Sequence, residues 1–252
     1  MKVRYFKKFS QFLNREMEYK IFGHAGKLCL VIPCQDGRFY EWEDQGMLSL
    51  LSFEIEQGKI QFVCVDSVDS MSWSASYAIS KRMAIHENWV QYIMQELIPS
   101  ILIEEERNPN ESWMITGCSM GGYHATNLFL RFPDRFDQLL SMSGIYDMED
   151  YFVGSKRDFN GYLNDPCCYL SNMERTHPYI QKYNRNQMNI VVGQGDWENK
   201  CFSDTKKLMD LFLEKGIQAH FEFYDANYPH DWLSWKKYVL RYIPEMIQSH
   251  TK

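Results

Sequence analysis

The sequence predicts an α/β fold: a mostly parallel central sheet with helices on both faces and an antiparallel hairpin at its amino end, all in a single domain. Three observations carry this. Five continuous apolar runs, at residues 27–34, 61–66, 113–118, 138–143 and 189–193, have the character of strands covered on both faces. Helical patterns lie between them, so successive strands run parallel through right-handed crossovers. No internal repeat, low-complexity stretch or Gly/Ser/Pro-rich linker divides the 252 residues.

In chain order, residues 4–12 and 15–22 read as two antiparallel strands around a turn at Leu13-Asn14. In the second of them Met17, Tyr19 and Ile21 alternate with polar residues, the period of a half-buried strand. The run 27–34 (KLCLVIPC) opens the central sheet, and a helix over 42–57 leads to the strand at 61–66. Val90, Ile93, Met94, Leu97, Ile98, Ile101 and Leu102 then form one apolar helical stripe. Glu104, Glu105 and Glu106 read as its solvated end. The strand at 113–118, a helix over 121–132 and the strand at 138–143 follow. Residues 146–187 break the rhythm, with Gly154, Gly161, Pro166 and Pro178 among aromatic side chains. A long irregular stretch of this kind reads as a lid-like insertion or a binding loop. The strand at 189–193, a helix over 204–215, a strand around His220 and a final helix over 231–248 complete the pattern.

Composition narrows the function. With 27 Lys+Arg against 33 Asp+Glu the formal net charge is −6, and 45% of residues are hydrophobic, as in ordinary globular proteins. Nucleic-acid binding needs clustered basic residues, and Lys2, Arg4, Lys7 and Lys8 read as one exposed strand face, so no nucleic-acid partner is expected. No run of eighteen apolar residues is available to span a membrane. Residues 1–20 are interrupted by charge every few positions, unlike a secretory leader. The expectation is a cytoplasmic protein whose seven cysteines are reduced thiols, mostly serving as small buried hydrophobes.

The sharpest chemical signal is Gly117-Cys118-Ser119-Met120-Gly121-Gly122, a G-x-S-x-G with an apolar strand running in and a helical pattern running out. A serine hydroxyl is a weak nucleophile and must stand on a sharp strand-to-helix turn where a base can reach it. Glycines on either side let that turn close, and the helix behind it directs free N–H groups at a developing oxyanion.

Such a nucleophile calls for an acid and then a histidine, in that order along the chain. Of the seven histidines, His24, His86, His124, His177, His220 and His250 fall before the central sheet, within helices, in the irregular segment, in a strand or in the tail. His230 alone lies in a loop after the last strand, at the start of the final helix. The acid belongs after the strand at 189–193, in Gln194-Gly195-Asp196-Trp197-Glu198, where Asp196 and Glu198 both qualify.

The segments GCSMGGYHA, GQGDWE and the ending His230-Asp231-Trp232-Leu233-Ser234-Trp235 resemble the putative esterase family of α/β-hydrolases. That family includes S-formylglutathione hydrolases, feruloyl and acetyl-xylan esterases and mycolyltransferases of the antigen 85 type. The likeness runs from about Lys27 to Ile243 and implies the α/β-hydrolase fold. In the family the acid typically stands three residues after the glycine that closes its strand. Matching that glycine to Gly195 places Glu198 in the acid's position, ahead of Asp196, although aspartate is the commoner residue there. The resemblance also implies a second oxyanion donor, the backbone N–H of Gln35, beside that of Met120. The chain departs from the family at this loop, with Pro33-Cys34 where His-Gly or Asp-Gly is usual.

The chemistry that follows is acyl transfer from a small-molecule ester. His230 takes the Ser119 proton, the carboxylate orients the imidazole, and water releases the acyl group. Short acyl chains, on an acylated carbohydrate among other carriers, are the substrates the resemblance implies. No cofactor is called for and no metal site is expected, since there is no H-E-x-x-H and no C-x-x-C. An alcohol acceptor would make the same triad an acyltransferase, and a silent scaffold serving as a binding module is the reading outside enzymology. Related esterases are often dimers or tetramers, which leaves room for a homo-oligomer.

Overall fold

A computed structural model describes residues 1–152 and 158–249. Gly154 and His250 lie outside the described residues. Eight strands form one sheet in the order β1-β2-β4-β3-β5-β6-β7-β8. They are β1 (Val3–Ser10), β2 (Arg15–Phe22), β3 (Lys27–Ile32), β4 (Ile60–Val65), β5 (Trp113–Cys118), β6 (Phe136–Met142), β7 (Gln187–Val192) and β8 (His220–Phe223). β1 and β2 form the hairpin, with Asn14 in the left-handed conformation at its turn (φ 49°). β2 joins β4 antiparallel, and from β4 to β8 every pairing is parallel. This is the architecture the apolar runs predict.

The helices are α1 (Glu41–Asp44), α2 (Met47–Leu50), α3 (Ser52–Glu56), α4 (Ile79–Gln91), α5 (Ile98–Glu104), α6 (Met120–Arg131), α7 (Phe159–Leu163), α8 (Pro166–Ser171), α9 (Pro178–Tyr183), α10 (Asn199–Lys215) and α11 (Trp232–Ser249). Strand alternation divides the core in two. Leu28, Leu30 and Ile32 face one layer with Trp89, Ile93, Phe129, Leu208 and Phe212. Cys29 and Val31 face the other, with Trp42, Leu51, Ile55, Tyr238 and Met246. Both faces of β3, β4 and β5 are buried throughout, which is why those strands read as unbroken apolar runs.

Two helical expectations need correction. The helix expected over 42–57 is three short ones, because Gly46 adopts φ 71° between α1 and α2 and Leu51 breaks the path again before α3. The stripe that starts at Val90 belongs to a longer helical path from Ile79 to Glu104, which widens to a π-helix over Tyr92–Leu97. Pro99 explains the widening: it has no N–H to donate and its ring crowds the carbonyl four residues back. Segment 146–187 carries a short 3-10 turn (Glu149–Phe152) and α7, α8 and α9. Five of the seven cysteines are buried. Among the described residues no helix is long and apolar enough to cross a membrane.

Candidate active site

β5 ends at Cys118 and α6 begins at Met120, leaving a single residue to make the turn. That residue, Ser119, has φ 56° and ψ −125°, a conformation that L residues rarely adopt. Its N–H donates to the Met142 carbonyl (2.9 Å), and its carbonyl accepts from Gly122 (2.9 Å) and Tyr123 (3.2 Å). The flanking glycines are required by space. A Cβ on Gly117 would lie 2.3 Å from the Gly121 carbonyl oxygen, and one on Gly121 would lie 2.4 Å from that of Ile32. The close approach at Gly121 also presses the end of β3 against the turn.

His230 arrives from the loop after β8. Its backbone N–H donates to the Asp196 carbonyl (2.9 Å), and Gly195 N–H donates to the Tyr228 carbonyl (3.1 Å), so the loops after β7 and β8 are bonded to each other. The ring's Nε2 lies 2.9 Å from Ser119 Oγ and its Nδ1 lies 3.1 Å from Glu198 Oε2. Ser119 and His230 are half-buried, whereas Glu198 is fully buried. The other carboxylate oxygen, Oε1, accepts from Ser143 Oγ at 2.5 Å, and Trp235 Nε1 donates to that same hydroxyl at 3.1 Å. Trp235 also meets the His230 ring edge to face at 5.0 Å. Glu198 stands at the start of the 17-residue α10, where the helix dipole favours negative charge.

Of the two carboxylates the sequence leaves open, the structure brings only Glu198 to the histidine. Trp197 adopts φ 67° and reverses the chain between them. Asp196 and Trp197 therefore face solvent while Glu198 turns inward. Asp196 contributes its carbonyl to the site.

The N–H of Met120 opens α6 beside Ser119. Gln35 lies in the exposed loop after β3, which Pro33 ends by lacking an N–H. Cys34 N–H donates to Glu41 Oε2 (2.8 Å) and Gly37 N–H to the Cys34 carbonyl (2.9 Å). Among the described residues neither Met120 N–H nor Gln35 N–H is taken by another backbone group. The Gln35 side chain is held by Ser74 Oγ (2.7 Å), which itself donates to Asp36 (2.9 Å).

Beside the turn, Trp73, Met148 and Phe152 pack with Met120 and Tyr123 in a small apolar cluster. Trp73 and Phe152 are consumed by this packing, while Tyr151 is half-buried against Trp73 at 5.4 Å and Phe159 is exposed. Cys118 is sealed under the turn, and burial pushes its thiol well above the ordinary range. Cys201 Sγ is 3.7 Å from His230 Nδ1 and is raised by the same cause. Glu198, Cys201 and His230 lie close enough to share a metal ion, but both nitrogens of His230 and both carboxylate oxygens of Glu198 already have partners. Sequence reasoning gave no role to Ser143 and none to Trp235 beyond its place in the family ending. Trp235 carries a signal, the aromatic spacing after His230; Ser143, at the end of β6, carries none.

Comparisons with known proteins agree with this architecture. Residues 10–246 match the family described as Putative esterase. Among solved structures, a ferulic acid esterase superposes with a TM-score of 0.76 at 17% identity, covering 98% of each chain. Mycobacterium tuberculosis MPT51 gives 0.74 at 16% identity, again covering 98% of each chain. An S-formylglutathione hydrolase from Agrobacterium tumefaciens gives 0.73 at 14% identity, over 98% of this chain and 94% of that one. At such identities the likeness establishes the fold. No curated protein matches by sequence.

Proposed function

The chain belongs to the putative esterase family, and from that premise we propose that it is a serine esterase working through Ser119, His230 and Glu198. The observation that carries the reading is the unbroken chain of hydrogen bonds from Glu198 through His230 to Ser119, ending on a backbone-strained serine.

His230 Nε2 accepts the hydroxyl proton as Ser119 Oγ attacks the ester carbonyl. The proton then passes to the departing alcohol, and an acyl-serine remains. Water deprotonated by the same nitrogen attacks the acyl group and frees the enzyme. Glu198 holds Nδ1–H toward itself, which keeps Nε2 as the free base, and it stabilises the imidazolium formed in each half-reaction. The N–H groups of Met120 and Gln35 receive the oxyanion, each worth about 3–4 kcal/mol of barrier. The filled aromatic cluster around Trp73 and Phe152 favours a short acyl group, and family resemblance favours an acylated carbohydrate as carrier.

The test is hydrolysis of p-nitrophenyl acetate, butyrate and octanoate, with a fluorophosphonate probe as a label for the nucleophile. Turnover falling from acetate to octanoate, with label on Ser119, is the expected result. Wild-type protein that neither turns over any ester nor takes the label would overturn it.

A further inference from the structure

A second cluster of titratable side chains lies apart from the ester chemistry. Asp69 comes from the 3-10 turn Asp69–Met71, His86 from α4 and His124 from α6, and each is 1% exposed. Asp69 Oδ1 is 2.9 Å from His124 Nε2, and the two imidazoles stack with centroids 5.1 Å apart. One donor atom from each residue falls within 4.8 Å of the others. Among the described residues, Asp69 Oδ2, His124 Nδ1 and both nitrogens of His86 are sealed from solvent with no hydrogen-bond partner. The Asn164 amide is near His86, but its oxygen already accepts from Asn127 and Arg131, and its nitrogen donates to Asn160 and Glu87. Buried polar atoms in native proteins are almost always satisfied, and a cluster of orphans calls for a further partner.

We propose that Asp69, His86 and His124 bind one divalent transition-metal ion of the zinc type. One carboxylate and two imidazoles are the donor set such ions take, and the nitrogen ligands argue against Mg²⁺ or Ca²⁺. A neutral imidazole offers the lone pair that such an ion takes. Metal–ligand distances of about 2.0–2.2 Å put donor atoms roughly 3–3.5 Å apart, within reach of small side-chain adjustments here. The ion would join α6, which begins beside Ser119, to the loop whose Ser74 holds Gln35 and Asp36. Its role would be to brace the oxyanion loop against the nucleophile turn without touching substrate.

The experiment uses tag-free full-length protein, because a histidine tag binds the same ions. The protein is refolded with Zn²⁺, freed of loose ion and assayed by elemental mass spectrometry. One zinc per chain is expected, falling below a tenth in His86→Gln and in Asp69→Asn and staying at one in Cys201→Ser. Wild-type protein that refolds without zinc overturns the proposal. So does zinc that survives His86→Gln or is lost in Cys201→Ser, which would locate the ion at Cys201. Should the cluster variants fail to fold, Co²⁺ in the wild type decides: ligand-field bands without a thiolate charge-transfer band support the site, and a thiolate band overturns it.

Discussion

Two histidine–carboxylate pairs are tied to the same helix of this molecule, His230 with Glu198 at 3.1 Å and His124 with Asp69 at 2.9 Å. In the first, the imidazole keeps 19% of its side-chain surface open, its other nitrogen faces a serine hydroxyl, and the carboxylate's second oxygen has Ser143 as donor. In the second, both side chains are sealed to 1%, and Asp69 Oδ2 and His124 Nδ1 are buried without a hydrogen-bond partner among the described residues. A general base must meet substrate and change its protonation state in every turnover. A sealed pair pays a desolvation penalty for each charge it acquires. Access and the third partner, rather than the pair itself, separate a site suited to proton transfer from one suited to holding an ion.

The comparison can be broken most sharply at the nucleophile. Ser119→Ala should lower kcat on p-nitrophenyl acetate by about 10³-fold to 10⁶-fold, with the fold unchanged by circular dichroism; retained turnover would remove the open pair from catalysis. Glu198→Gln should cost roughly 10⁴-fold, because the imidazole loses the group that sets its tautomer. Asp196→Asn should leave kcat within about twofold, since that side chain is in solvent and only its carbonyl is used. Equal losses in the two variants would refute the assignment of the acid.

Gln35→Pro removes a backbone N–H and should cost about 10²–10³ in kcat, whereas Gln35→Ala keeps the N–H and should cost far less. Steady-state kinetics that show no difference between them would exclude the oxyanion role. Ser143→Ala leaves Glu198 Oε1 without its donor and should destabilise the protein by about 1–3 kcal/mol, read by urea unfolding. The smallest effect concerns the cysteine next to the nucleophile. Cys118 should stay unmodified by iodoacetamide at pH 8 in mass spectra of native protein, with activity intact, because its buried thiol stays protonated.

Much of the fold and of the candidate site's geometry was legible in the chain. The apolar runs marked both-face burial at β3 through β7, and Ser119 and His230 stood out by the spacing of a turn and by chain order. What failed was local competition. Gly46 interrupts a pattern that reads as one helix over 42–57, and Pro99 widens a helix whose apolar stripe continues through it. His86 and His124 read as ordinary helical histidines, since neither has a His, Cys, Asp or Glu three or four residues away on its own helix.

The sequence alone therefore determined the sheet order's parallel character, the strained serine turn and the loop histidine, because each rests on residues close together in the chain. Tertiary structure decided which carboxylate faces His230. Asp196 and Glu198 are two residues apart and chemically alike, and only the left-handed backbone at Trp197 and the Ser143–Trp235 pocket separate them. It also decided that Asp69, His86 and His124 meet, because they sit on three elements that only the packing of α4 and α6 on the sheet brings together.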